Sequence, residues 1–200
     1  MIEINNRRYI GAKYKLLSNI EEVINNHINE KDYTFADLFA GTGVVAHSFA
    51  ENGHPVIVND ILYSNVVAYH AWLGTGEYNS EKIVSILQEL NGLKSCEICE
   101  NYFSRIYGEK YFSIDCAKKI GYIREYIELH KRNFSEREYY ILLTSLLYAT
   151  DRVANTVGHF EYFLKQQPKN ERLVLQNLKI SPTAKTQIFN MDANALAAQI

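Results

Sequence analysis

An α/β fold, built on a partial parallel sheet with a mostly helical insertion, is predicted for this 200-residue chain. Residues 33–40 and 54–60 have the apolar and β-branched composition of strands, and residues 44–52 between them are typical of a helix. This order predicts two parallel strands joined by a right-handed crossover. Further helical segments follow, which places the insertion between the second and third strands.

Local signals support several of the predicted helices. Gly53 follows residues 44–52 at the position where a left-handed residue ends a helix. Ser135 and Glu138 form a capping box at the start of another helix. The helices predicted within the insertion cover 62–73, 80–91, 113–130 and 136–154. An earlier helix, 13–28, has one apolar face at helical spacing, made of Leu16, Leu17, Ile20, Val23, Ile24 and Ile28.

The C-terminal part of the chain is predicted to return to the sheet. Residues 172–180 and 184–190 have strand composition, with Pro182 in the turn between them. The last ten residues favour a turn and the start of a helix. We therefore divide the chain into an N-terminal part of the core, the helical insertion and the return to the core, at 1–61, 62–171 and 172–200.

Composition limits the cellular setting more than the function. The net charge of −2 neither requires nor excludes a nucleic-acid partner. The sequence has no apolar run of about 18 residues and no apolar stretch typical of a signal peptide at its start. Three cysteines favour a reducing cytoplasm. Cys96, Cys99 and Cys116 lack the usual spacing of zinc ligands, so we expect ordinary cysteines and no metal.

The segment "GTGVVA" matches the pattern of a nucleotide-cofactor loop, G-x-G-x-x-G/A, through Gly41, Gly43 and Ala46. The first glycine permits a tight turn, the second permits close backbone approach to a ligand, and the small third residue allows helix–strand packing. Asp60 ends the next strand, where a carboxylate can accept both hydroxyls of an adenosine ribose. These features alone fit NAD, FAD and S-adenosylmethionine equally well.

Two neighbouring residues favour S-adenosylmethionine. Asp37 comes four residues before Gly41, and a carboxylate there would repel the pyrophosphate of a dinucleotide but attract a methionine amino group. Phe39 offers an apolar wall beside the loop. The alternative for Asp37 is a structural role in capping nearby amides.

With these residues in place, the sequence resembles the N6-adenine-specific DNA methyltransferases, and within them the Dam-like family. The resemblance rests on four motifs in the family's order, "RRYIGAKYKLL" (7–17), "DLFAGTG" (37–43), "IVND" (57–60) and "FNMDA" (189–193). It implies a Rossmann-like, S-adenosylmethionine-dependent methyltransferase core. It also implies that the helical insertion carries the DNA target-recognition region, and that the protein works on double-stranded DNA in a restriction–modification system.

The resemblance implies a role for each matching residue. The methionine end of the cofactor would meet Tyr9, Ile10, Gly11, Ala12 and Lys13. The loop around its methionine and ribose portions would consist of Asp37, Phe39, Ala40, Gly41 and Gly43. Asp60 would hold the ribose hydroxyls, with Ile61 against the adenine ring. Asp192 would accept from the adenine amine and Ala193 would donate its N–H, although Asp192 could instead cap a helix and Lys13 could be a solvated lysine.

The family's catalytic tetrapeptide, Asp/Asn-Pro-Pro-Tyr/Phe, is absent from these 200 residues, whose only prolines are Pro55, Pro168 and Pro182. No catalytic residue is therefore predicted. We expect an N-terminal portion of a methyltransferase that binds cofactor and DNA but is inactive alone. The alternative is a protein that has kept the cofactor half of the fold and lost catalysis. An open edge of its sheet would allow self-association or pairing with a C-terminal partner chain.

Basic and aromatic residues in segment 146–173 predict a DNA-facing loop, with Arg152, Asn155, His159 and Lys165 as candidate contacts. Segment 105–112 is a second, weaker candidate. The alternative is a helix-to-helix turn with a buried aromatic residue. Two other functions stay open at this point, an NAD- or FAD-dependent oxidoreductase and a non-catalytic DNA-binding specificity subunit.

Overall fold

A computed structural model describes residues 1–9, 11–28, 30, 32–158 and 160–200 of the chain. Within these ranges the strands are β1 (Phe35–Asp37), β2 (Val56–Asn59) and β3 (Thr186–Phe189). The α-helices are α1 (Leu17–His27), α2 (Val44–Glu51), α3 (Tyr63–Trp72), α4 (Ser80–Gly92), α5 (Tyr102–Tyr107), α6 (Ile114–Leu129), α7 (Glu136–Val153) and α8 (Ala193–Ala197).

The three strands form one parallel sheet in the order β1-β2-β3. Phe35 of β1 pairs with Val56 of β2, and Val56 pairs with Thr186 of β3. Strand β2 is buried along its whole length because it lies between two neighbours and α2 packs against it. The predicted parallel pair, and the placing of a helical insertion between the second and third strands, are confirmed.

The four helices predicted in the insertion are confirmed as α3, α4, α6 and α7. At the start of α7 the Ser135 side chain accepts the Glu138 N–H, and the Glu138 carboxylate accepts the Ser135 N–H, as a capping box requires. The same carboxylate accepts from Lys82 Nζ at 2.6 Å, which ties α4 to α7. Gly53 has a φ of +92° after α2, so the predicted helix stop is also confirmed.

The strand predicted at 172–180 is wrong. Leu173, Leu175 and Leu178 are buried at every second or third position, which gave the strand-like pattern. Side chains from the helices form hydrogen bonds with the backbone of this segment. The Asn91 amide bonds to both the N–H and the C=O of Leu175, and the Ser145 hydroxyl bonds to both the N–H and the C=O of Gln176. The segment therefore does not join the sheet, and among the described residues it forms a single isolated bridge, at Leu178.

Two smaller features differ from prediction. The helix predicted from residue 13 begins as a 3-10 turn, Lys13–Leu16, and becomes α-helical at Leu17. Helix α5 was not predicted. Its capping box joins Asn101 and Ser104, a pair of residue types outside the common Ser/Thr and Glu/Gln signature.

The chain divides into two compact units. One consists of Met1–Ile2, Asn6–Ile10 and Glu77–Leu178, and is helical. In it α6 packs against α5 and α7, around a core that includes Ile123 and Leu142. The other unit consists of Glu3–Asn5, Gly11–Gly76 and Lys179–Ile200, and contains the sheet.

Across the described ranges no helix is long and apolar enough to cross a membrane. Cys96 and Cys99 are exposed and Cys116 is buried, all as free thiols. The same ranges contain no group of three or more side chains placed to hold a metal ion. The cytoplasmic location expected from composition stays a prediction.

Candidate functional site

The loop between β1 and α2 turns sharply at its two glycines. Gly41 and Gly43 have φ values of +57° and +79°, the left-handed region that glycine adopts most easily. A Cβ atom at Gly43 would lie 2.8 Å from Cε1 of Tyr69, so that position also has no room for a side chain. Tyr69 is fully buried on α3 and donates its hydroxyl to the Gly41 carbonyl at 2.7 Å.

Asp60 holds this loop from the end of β2. One carboxylate oxygen accepts the Gly41 N–H at 2.8 Å and the other accepts the Leu62 N–H at 2.8 Å. The side chain is buried, with a relative exposure of 7% for the residue. A carboxylate offers about four acceptor positions, so this one keeps acceptor capacity for a ligand hydroxyl.

Two asparagines that sequence reasoning missed connect the strand ends. The buried Asn59 donates to the carbonyls of Leu38 and Met191 and accepts the Met191 N–H, which joins the loops after β1 and β3. Asn190 donates to the carbonyls of Asp60 and Ile61. A polar residue at the end of a buried strand was the available signal for Asn59.

Asp37 carries a carboxyl group whose pKa is shifted by its surroundings. Burial raises the pKa of its carboxyl group, while nearby Lys13 and the Phe39 N–H oppose that rise and Asp60 adds to it. Its Oδ2 atom is buried and has no hydrogen-bond partner among the described residues. The Lys13 ammonium donates to the Phe39 carbonyl at 2.7 Å and forms no hydrogen bond to that atom. A ligand cation would satisfy the carboxylate.

Large apolar side chains remain uncovered beside these polar groups. Phe39 is 73% exposed and Ile61 is 70% exposed. Leu62 and Tyr63, next along the chain, are also exposed. A flat apolar ring could pack on such a surface, in agreement with the roles expected for Phe39 and Ile61.

Asp192 and Ala193 follow the third strand, at the start of α8. One Asp192 oxygen accepts the N–H groups of Asn194 and Ala195 at 2.9 and 3.0 Å, which caps α8. The capping role considered for Asp192 is therefore confirmed. The contact of Asp192 with an adenine amine, and of the buried Ala193 with the same ring, stay predictions.

The structure puts only some of the predicted N-terminal site residues in the same unit as the glycine loop. Gly11, with a φ of +80°, and Ala12 are exposed and belong to the same unit as Lys13. Tyr9 belongs to the helical unit, where its ring lies 5.5 Å from the Arg7 guanidinium carbon. Ile10 lies outside the described residues.

The predicted DNA contact at Asn155 disagrees with the structure. This side chain is buried, and its amide nitrogen donates to the carbonyls of Lys110, Leu164 and Gln166 at distances of 2.9 to 3.1 Å. The sequence suggested a base contact because asparagine is polar and lies in a loop, but three backbone carbonyls occupy its donor. Asn155 is therefore not part of the DNA surface proposed below.

Replacing Asn155 with alanine is expected to lower the free energy of unfolding by about 1–3 kcal/mol, because three carbonyls lose a shared donor. Urea unfolding measures this loss. Gln167→Ala, which truncates an exposed amide in the same segment, should leave stability within about 0.5 kcal/mol. Equal effects of the two substitutions would contradict the structural role of Asn155.

The two segments predicted to face DNA pack against each other. Tyr111 lies 5.2 Å from Phe163 and 6.2 Å from Phe160 between ring centroids, and Phe112 lies 6.1 Å from Phe160. Phe160 and Phe163 remain about half exposed, and Tyr162 is 74% exposed. We call these three exposed rings the aromatic surface. Of the other predicted contacts, Arg152 and Lys165 are exposed, and His159 lies outside the described residues.

Two arginines that sequence reasoning gave no role hold this segment in place. Arg7 Nε pairs with Asp151 at 3.1 Å near the end of α7, and both side chains are buried. Arg8 donates to the Thr156 carbonyl at 3.1 Å. Burial raises the pKa of the Asp151 carboxyl group, and Arg7 opposes that rise. Arg7 and Arg8 of the motif thus hold the end of α7 and the segment that follows it.

The chain belongs to the D12 class of N6 adenine-specific DNA methyltransferases, since the profile of that family matches residues 9–200. This assignment agrees with the resemblance drawn from the four motifs and with the parallel α/β sheet. It removes the oxidoreductase alternative.

Among individual proteins, the chain is 36% identical to the modification methylase StsI of Streptococcus sanguinis over 96% of its own length and 32% of the relative. It is 36% identical to the type II methyltransferase M.NlaIII of Neisseria lactamica, covering 96% of the chain and 60% of the relative. It is 34% identical to M.CviAII of Paramecium bursaria Chlorella virus 1, over 96% and 61%. The chain thus spans between about a third and three fifths of these relatives.

Proposed function

We propose that these 200 residues form the cofactor-binding and DNA-binding portion of an adenine-N6 DNA methyltransferase of a restriction–modification system, with S-adenosylmethionine as cofactor. The observation that carries the cofactor is the buried, unpartnered Oδ2 of Asp37. A carboxylate in that state suits the cationic amino group of a methionine moiety and would repel pyrophosphate. The similar proteins named as type II methyltransferases support the same function.

The other residues of the site fit the same ligand. Gly43 is buried, and a side chain at this position would collide with Tyr69, so the glycine keeps the loop in this tight conformation. Asp60, fixed by two backbone N–H groups, keeps acceptor capacity for ribose hydroxyls. Phe39 and Ile61 supply apolar surface for an adenine ring. When bound, S-adenosylmethionine supplies an electrophilic methyl group, and the chain binds and orients the molecule that carries it.

DNA binding is assigned to the helical unit. Its aromatic surface suits base contacts or a wedge between base pairs, and Arg152 and Lys165 suit phosphate contacts. An enzyme that modifies a base must take it out of the duplex stack, which favours aromatic residues near the DNA.

We further propose that the 200 residues alone do not transfer a methyl group, because the Asp/Asn-Pro-Pro-Tyr/Phe tetrapeptide is not among them. Strands β1 and β3 are the outer strands of the sheet in the described ranges. We propose that a partner segment, or a second copy of the chain, pairs with such an edge. Methyl transfer from radiolabelled cofactor to DNA by these residues would refute the inactivity.

Calorimetric titration tests the cofactor. The chain should bind S-adenosylhomocysteine with measurable heat and should show no saturable binding of NAD. A duplex titration, repeated at several salt concentrations, tests DNA binding. DNA binding without affinity for S-adenosylhomocysteine would replace the proposal with the non-catalytic DNA-binding module.

A further inference from the structure

A cavity in the helical unit lies apart from the residues assigned above. It has a volume of about 260 Å³ and is bounded by the first two turns of α6 and by residues 170–173. Lys119 projects from α6 into its lining, and Arg172 lines it from the opposite segment. Both residues carry positive charge.

The two cations form no ion pair within the described part of the chain. Neither donates a hydrogen bond to a described residue. Lys119 is only 8% exposed. Its pKa is lowered by burial and by the positive charge of Arg172, while Cys116 opposes the shift. Two close cations, one of them buried, are unfavourable until an anion joins them.

Acidic groups near the cavity do not supply that anion. Asp115 lines it from the first turn of α6, and Glu171 from the opposite segment. Neither forms an ion pair with Lys119 or Arg172 within the described ranges. The Glu171 carbonyl accepts from the Cys116 thiol at 2.9 Å, which fixes this segment against α6. This bond holds the backbone next to Arg172 beside α6, so both cations line the same open volume.

We infer that this cavity binds a phosphate group between Lys119 and Arg172. The planar guanidinium can give two parallel hydrogen bonds to phosphate oxygens, and the ammonium adds a point charge. Ser95 and Asn170 also line the cavity and can donate to the remaining oxygens. The volume holds a phosphate and several waters, each of which occupies about 30 Å³ in the liquid.

The phosphate can come from the DNA backbone or from a small phosphorylated solute. Only the first source rests on the proposed function, because it needs the helical unit to lie on DNA. The cavity would then be a second anchoring point, distinct from the aromatic surface. Inorganic phosphate and duplex DNA are the probes that separate the two sources.

The test uses the 200-residue chain, the variants Lys119→Met and Arg172→Gln, and Lys118→Gln as a matched control that removes a neighbouring charge outside the cavity. In phosphate-free buffer Lys119→Met should unfold at a higher temperature, because a buried cation is lost. Inorganic phosphate at ten times its dissociation constant should shift the folding equilibrium of the wild type and of Lys118→Gln about elevenfold toward the folded state. Both cavity variants should lose this shift.

In the DNA arm, the slope of log affinity against log salt should become shallower by about 0.9 in each cavity variant relative to Lys118→Gln, which corresponds to one lost phosphate contact. A response to phosphate alone supports a solute, and a change of slope supports the DNA backbone. The inference would be overturned if phosphate did not shift the wild type and the salt slope were the same in the cavity variants as in the wild type, or if Lys118→Gln changed both responses as much as the cavity variants do. If Lys119→Met does not fold, Arg172→Gln decides, since Arg172 is exposed. A chain without DNA affinity would refute the proposed DNA binding and leave the phosphate arm to decide the cavity.

Discussion

Replacing Asp37 with asparagine is expected to stabilise the protein and to weaken its binding of S-adenosylhomocysteine. The carboxylate is buried, its Oδ2 has no partner in the described ranges, and burial raises its pKa. Removing the charge should therefore increase the free energy of unfolding at pH 7 by about 1 kcal/mol. The ligand's amino group would lose a charged partner, which is worth about 1.5–3 kcal/mol, or about a 10- to 150-fold loss of affinity.

The stability difference between Asp37→Asn and the wild type is expected to depend on pH. Because the pKa of Asp37 is raised above 3.8 in the folded protein, the folded state binds its proton more tightly than the unfolded state. The wild type is thus penalised above the raised pKa and relieved as the pH falls through it. The stability advantage of Asp37→Asn should be full above the raised pKa and should disappear as the pH falls through that pKa and below 3.8.

Asp32→Asn is the matched control, since it removes the same charge from an exposed residue of the same unit. It should change neither stability nor ligand affinity by more than about 0.5 kcal/mol. Calorimetry of both variants with S-adenosylhomocysteine measures affinity, and urea unfolding measures stability. A destabilised Asp37→Asn that binds as tightly as the wild type would show that Asp37 has the structural capping role instead.

Local sequence predicted the elements whose backbone bonds are satisfied locally or by a neighbouring strand. The capping residues Ser135 and Glu138 marked the start of α7, and Gly53 marked the end of α2. Segment 172–180 failed because its apolar alternation reports burial, whereas its hydrogen bonds go to side chains from distant helices. Asn91 and Ser145 gave no sign of that pairing in their own sequence context.

Some residues of the candidate site could likewise be predicted from local sequence, and others could not. A glycine loop and two acidic residues can be found by spacing, because the ligand imposes that spacing on the chain. Tyr69 and Asn59 hold the loop from α3 and from the end of β2, and no rule of spacing selects them. Asn155 was predicted as a site residue from its loop position and has a structural role instead. A polar loop residue can face inward when carbonyls of several segments converge on it.

Replacing Asp60 with alanine is expected to have the largest combined effect on stability and binding. Two backbone donors, the buried N–H of Gly41 and the partly buried N–H of Leu62, would lose a charged acceptor at 2.8 Å. The expected loss is about 3 kcal/mol in the free energy of unfolding. The ribose hydroxyls would lose their acceptor in the same step, so affinity for S-adenosylhomocysteine should fall at least tenfold.

Amide hydrogen exchange separates the two roles of Asp60. The Gly41 and Leu62 amides should exchange faster in Asp60→Ala than in the wild type, because their acceptor is gone. Asp192→Ala is the matched control, since it removes a carboxylate that also accepts two backbone N–H groups at the end of a strand, here on the exposed cap of α8. It should cost only about 1 kcal/mol and leave Gly41 protected. Unchanged exchange at Gly41 together with unchanged affinity would remove Asp60 from the site.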